Sequence, residues 1–160
     1  MIPCSATFDG KNTYEENGRI HYRWYYPEFN GNYTLTFRFI STNSPLPQGV
    51  SLFVSKDFRG KMYLNGTELQ PLKSTFAHYT FRVDEFPENE FTLRVCSTAG
   101  KIFLANTSQL HNSDSWDCAV YGYALWVEEL SENHYRFHCN DVDLDDDYDD
   151  LIFDIIAEMD

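Results

Sequence analysis

No run of about 18 uncharged apolar residues occurs in this chain of 160 residues, so it holds no helix long and apolar enough to cross a membrane. Internal repeats, Pro- or Ser-rich linkers and low-complexity stretches are also missing, apart from one aspartate run. The N-terminus, Met1-Ile2-Pro3-Cys4-Ser5, has no basic n-region and no apolar h-region. It places the chain in the cytoplasm or, with a leader already removed, outside the cell or on its surface. Cysteine is sparse: Cys4, Cys96, Cys118 and Cys139 form no C-x-x-C pair, and their spacings of 92, 22 and 21 fit no zinc template. Buried thiols and one or two disulfides both remain open. No G-x-S-x-G, Gly-rich phosphate loop or cysteine motif with a nearby base occurs, so nothing local marks an enzyme. Paired carboxylates for glycoside hydrolysis depend on spatial pairing and stay open.

Basic charge is the scarcest resource of one region. The chain has 25 acidic and 12 basic side chains, a net charge of −13, yet residues 141–160 hold ten of the acids and none of the bases. The rest is nearly balanced. A chain of this sign repels nucleic acid and anionic lipid. The 42% apolar and 23% charged content is that of a globular protein, and the length is that of one domain, which needs no metal or disulfide merely to fold.

What is abundant is aromatic residues, 17% of the chain, set in period-2 alternation. Strands are expected at residues 19–26, 33–40, 50–54, 61–64, 67–69, 76–83, 90–95, 101–104, 121–128 and 135–139. In Tyr33-Thr34-Leu35-Thr36-Phe37-Arg38-Phe39 the apolar residues fall on one face. Asn65-Gly66 between two strands is the strongest short signal for a type I′ hairpin. Short strands with turns every 8–12 residues predict an all-β, antiparallel, jelly-roll-like sandwich forming one domain over 1–160.

The distinctive chemistry lies in residues 140–156. Carboxylates packed as tightly as Asp141, Asp143, Asp145, Asp146, Asp147, Asp149 and Asp150 repel, so solvation, protonation or a cation must compensate. Hard divalent cations with six to eight oxygen ligands, calcium above all, suit such a cluster. A solvated acidic tail is the alternative, but Leu151-Ile152-Phe153 follows at once and wants burial. The run is not an EF-hand, since Tyr148 stands where glycine is required and Asp154 where glutamate is. In an extended chain Asp145, Asp147 and Asp149 share a face, and a bend after Tyr148 must bring Asp150 round, with Tyr148 anchoring the loop. Leu151, Ile152, Ile155, Ile156 and Met159 also fit one face of a helix, so strand and helix are both open on periodicity.

Asp145-Asp146-Asp147-Tyr148-Asp149-Asp150-Leu151-Ile152-Phe153-Asp154-Ile155 resembles the closing signature of Asp-rich β-sandwich domains in bacterial surface and exported proteins. The resemblance covers about residues 103–156 and favours a strand at the end of the chain. It implies a non-catalytic, calcium-binding domain in which an acidic residue from a preceding aromatic-rich strand, here Glu128 or Glu129, faces the cluster. The expected calcium ligands are then Asp145, Asp147, Asp149 and Asp150, with Glu128 reaching in and Asp141 or Asp143 helping. The first hundred residues are similar, more loosely, to galactose-binding-like jelly-roll modules, through Met62–Leu69, Tyr79–Val83 and Asn89–Val95.

Aromatic rings present apolar faces with polar edges, as sugar ligands require, and Trp24, Tyr25 and Trp116 are the candidates. If residues 22–26 form one strand, Tyr22, Trp24 and Tyr26 share a face opposite Tyr25. Trp116 stands in a polar stretch and reads as an exposed loop residue. His134 and His138, four apart on a strand, would lie about 13 Å apart, too far to share zinc. The expectation is a calcium-binding module recognising carbohydrate or another surface ligand. A structural protein packing against other chains and a small carbohydrate-active hydrolase are the alternatives.

Overall fold

The computed structural model describes residues 8, 11–29, 31–72, 77–111, 113–118, 123–141 and 147–160. Among them the alternating segments form thirteen strands. These are β1 (Thr13–Glu16), β2 (Arg19–Tyr22), β3 (Asn32–Thr42), β4 (Gln48–Val54), β5 (Arg59–Leu64), β6 (Thr67–Glu68) and β7 (Tyr79–Arg82). They continue with β8 (Glu90–Ala99), β9 (Ile102–Gln109), β10 (Trp116–Cys118), β11 (Ala124–Ser131), β12 (His134–Asn140) and β13 (Leu151–Met159). A nine-stranded sheet runs β1-β2-β11-β12-β13-β3-β8-β5-β6 and faces a four-stranded one, β10-β9-β4-β7. All pairings are antiparallel, and strands distant in sequence lie side by side, β13 against β3 and β11 against β2. The protein is an all-β sandwich, as the alternation predicts.

The inward faces meet in one core. Leu35, Phe37, Leu93, Phe137, Phe153 and Ile155 of the large sheet pack with Val50, Leu52, Ile102 and Leu104 of the small one. Burying each such side chain stabilises by about 1.5–3 kcal/mol, which explains why register follows the apolar rows. The Asn65-Gly66 turn has φ of 48° and 86°, as a type I′ hairpin demands. The last segment is a strand: Leu151, Phe153, Ile155 and Ala157 point into the core, so the helical alternative falls. Cys96, Cys118 and Cys139 are free thiols.

Two expectations need correction. Residues 19–26 are not one strand, because the chain bends after Tyr22 and changes sheets. Asn12 holds both backbone groups of Trp24 at 2.9 Å, and Tyr25 then exchanges backbone hydrogen bonds with Leu104 at 2.8 and 2.9 Å. Trp116 is not a loop residue; it opens the edge strand β10, half-buried, with the Arg82 guanidinium 5.2 Å from its ring centre.

The outer face of the large sheet carries a row of alternating charge. Glu128, Arg136, Asp154, Arg38 and Glu90 stand directly opposite one another on five successive strands, β11, β12, β13, β3 and β8. Cross-strand pairs of opposite sign support the register that core burial sets. At its centre Asp154 is 2% exposed. It accepts hydrogen bonds from Arg136 Nε at 2.8 Å and Nη2 at 3.1 Å, with His134 Nε2 at 2.8 Å.

Candidate functional site

The link between β12 and β13 is pinned at both ends by groups that the sandwich itself orients. Asn140, nearly fully buried, accepts the Tyr148 N–H on its side-chain oxygen at 2.7 Å, while Asn106 donates to its backbone carbonyl at 2.6 Å. Asp150 donates its N–H to the Cys139 carbonyl and accepts the Asn43 N–H on its own carbonyl, both at 3.1 Å. Between these anchors Tyr148 takes a left-handed φ of 56°. That conformation costs a non-glycine residue roughly 1–2 kcal/mol. Its phenol lies 2.9 Å from that of Tyr14 and its ring 4.9 Å from His21, in a satellite cluster with Phe8 and Ala124. The bend expected at Tyr148 is present, and the tyrosine anchors it.

The consequence is a convergence of acids. One carboxylate oxygen from each of Asp147, Asp149 and Asp150 lies within 4.8 Å of the others. Asp147 is exposed, Asp149 half-buried and Asp150 buried at 2%. Asn43 Nδ2 donates to Asp149 Oδ2 at 2.8 Å, whereas Asp149 Oδ1 is buried without a hydrogen-bond partner among the described residues. Two unit charges at such a separation repel by roughly 3–4 kcal/mol at an effective dielectric of about 20. Oxygens spanning up to 4.8 Å can share one ion at calcium's usual 2.3–2.6 Å.

The other expected ligands distribute differently. Asp143 and Asp145 lie outside the described residues. Asp141 is fully buried beside the cluster; its carboxylate accepts from Ser44 Oγ at 2.5 Å and Gln48 Nε2 at 2.9 Å, and its N–H donates to Asp150 Oδ2 at 2.9 Å. Asp141 thus orients Asp150. Glu128 is not brought to the three aspartates. It stands on the outer face of β11, exposed, with His138 Nε2 at 3.1 Å. His138 in turn stacks on Trp126 at 4.0 Å, and Arg19 covers the other ring face at 3.9 Å. His134 is engaged with Asp154, so the two histidines contact separate carboxylates. Asn43, Ser44 and Gln48, which grip the acidic segment, carry no site signal in the sequence, because Pro45, Pro47 and Gly49 around them mark only a turn.

The sheet change at residues 22–26 sorts the aromatic candidates. Trp24 packs edge-on against Phe53 and Phe103 on the outer face of the small sheet, and Tyr26, 46% exposed, stacks on Phe103 at 4.9 Å. Tyr25 turns the other way, onto Tyr22 and the core ring of Phe137. An open cleft of about 840 Å³ lies here, walled by Tyr22, Tyr25, Tyr26, Phe29 and Tyr135, with Glu28 and Asn133 as polar groups. Burial, with Tyr135, Tyr22 and Glu28 adding to it, pushes the Tyr25 phenol up to about 12, so it stays a neutral donor and acceptor. Trp24 and Trp116 lie outside this cleft.

Compared with protein-family models, curated protein sequences and solved structures, the chain matches none of them.

Proposed function

We propose that this protein is a non-catalytic, calcium-binding β-sandwich module that recognises carbohydrate. The observation that carries the metal half is the convergence of Asp147, Asp149 and Asp150, with one buried oxygen of Asp149 left without a donor among the described residues. A bound divalent cation satisfies that oxygen and cancels the mutual repulsion. Three carboxylates supply part of the six to eight oxygens that calcium takes, and water completes the shell. Magnesium fits less well, because it demands a tighter octahedron and sheds water reluctantly. The ion neutralises the end of the link between β12 and β13, and its role is to stabilise the fold.

The tyrosine cleft supports the ligand half. Its rings offer the flat apolar surface that stacks on a sugar ring, and the phenols with Glu28 and Asn133 offer hydrogen bonds for hydroxyls. Metal and cleft lie at opposite ends of β12, since Asn140 holds the acidic loop and Asn133, just before His134, lines the cleft.

Calorimetry and thermal melts with calcium, with magnesium and with chelator test the reading. Calcium is expected to give binding heat at millimolar concentration or below and to raise the melting temperature, magnesium to do less. A melt that calcium does not move, with no heat, overturns it.

A further inference from the structure

We infer that a second pocket, at the end of the sandwich away from the aspartates, binds an amphipathic anion: an apolar chain or ring ending in a carboxylate or phosphate. The pocket encloses about 310 Å³ at the C-terminal end of β4, beside β5 and β6. That volume is at the small end of the ligand-site range. Gln48, at the other end of β4, hydrogen-bonds Asp141. The seven-residue strand therefore separates the two sites by roughly 20 Å.

Its floor is the apolar, less exposed part of the lining, buried Met62 with half-buried Phe58, Leu69 and Leu72. Its rim carries Lys56, Arg59 and Lys61, three of the twelve basic side chains of a chain with net charge −13. Glu68 is the one acid in the lining among the described residues, and Lys61 lies 3.6 Å from it. Lys56 and Arg59 make no ion pair among the described residues, and Arg59 Nη1 spends a donor on the Phe58 carbonyl. A cationic mouth over a greasy floor matches a ligand with the opposite layout, a charged head on an apolar body.

Backbone geometry sets Arg59 at this mouth. β5 bulges against β8, where Arg59 faces Ala99 and Gly60 faces Ser97, leaving Thr98 unmatched. Any Cβ at position 60 would fall 2.1 Å from the Cys96 carbonyl oxygen, so only glycine lets the strands approach here. Bulges of this kind re-aim neighbouring side chains.

Titration calorimetry of the full chain with decanoate, decyl phosphate, decanol and decylammonium tests the site, in calcium-free buffer because calcium precipitates fatty carboxylates. Decanoate or decyl phosphate should bind at least tenfold more tightly than decanol, decylammonium more weakly still. Whichever anion is preferred names the head group. The Lys56→Gln/Arg59→Gln variant, altered only at exposed positions, should lose that preference by roughly tenfold or more at an unchanged melting temperature. Equal binding of decanol and both anions, an unaltered preference in the variant, or no heat from either anion overturns the inference.

Discussion

Asp150 and Asp154 lie four residues apart and are equally hidden from solvent, at 2% exposure each, yet they meet opposite surroundings. Asp154 stands in a row with a cation on each flank: Arg136 grips it with two nitrogens, Arg38 faces it from β3, and His134 closes the third side. Asp150 is oriented by a backbone N–H and has two further carboxylates within 4.8 Å. An acidic run in a sequence is therefore not one kind of object. The acid inside the strand is paired with cations of its own sheet, whereas the acids of the loop converge on one another.

The largest expected effect comes from breaking the strand row. Asp154→Ala removes the shared acceptor and leaves Arg136 and His134 facing each other without it. Truncating one partner of a well-hydrogen-bonded buried pair costs several kcal/mol, and because Arg136 keeps some solvent contact we expect about 2–3 kcal/mol by urea unfolding. Burial acts to raise the Asp154 carboxyl, but the hydrogen bonds and charges of Arg136 and His134 outweigh it and hold it below the ordinary carboxylate value. A carboxyl lowered in the folded state contributes stability above its unfolded pKa of about 4 and loses it as pH falls through the folded value. The gap between wild type and Asp154→Asn should accordingly be constant near neutrality and shrink below about pH 4. A gap that widens on acidification contradicts the row.

The loop should respond with the opposite sign. Without metal, Asp147→Asn/Asp149→Asn relieves repulsion and should raise the melting temperature slightly. With calcium at a hundredfold excess over its Kd, wild type gains about 2.7 kcal/mol, and the double variant should lose most of that gain. If the double variant is destabilised in chelator, its carboxylates serve the fold as Asp154 does, and the contrast between strand and loop disappears. A smaller effect separates the cleft from the aromatic packing on the outer face of the small sheet: Tyr26→Ala should abolish retention on a polysaccharide matrix while the melting temperature stays near wild type. Trp24→Ala, which uncovers Phe53 and Phe103, should instead lower the melting temperature.

Much of the fold was legible because alternation survives wherever one strand face is wet. β3 reads correctly residue by residue, Tyr33, Leu35, Phe37 and Phe39 buried between more exposed neighbours. β4 does not alternate, since Gln48 to Phe53 are buried on both faces, and its start at Gln48 was therefore missed. β10, three residues long, is too short to show a period, which left Trp116 looking like a loop residue. At the site, the Tyr148 bend could be read from chain geometry. Partners from afar could not: Asn43 and Gln48 reach the loop across more than 90 residues of sequence. The charge row was invisible for the same reason, because Arg38 and Asp154 meet only once β3 and β13 are paired.

The smallest expected effect concerns Glu128, the one ligand expected from a neighbouring strand. Leu125 and Val127 face the core of β11, so parity alone sends Trp126 and Glu128 to the outer face. There Glu128 has side-chain exposure of 46% and pairs with His138. Exposed pairs of this kind contribute about 0–1 kcal/mol, and salt screens them. Glu128→Gln should consequently leave the calcium affinity unchanged within error and shift stability by no more than roughly 0.5 kcal/mol. Asp150→Asn, placed beside it in the same titration, should weaken calcium strongly. A large loss of calcium affinity in Glu128→Gln would mean that the strand and loop acids share one ion after all, which would require β11 to move relative to the loop when metal binds.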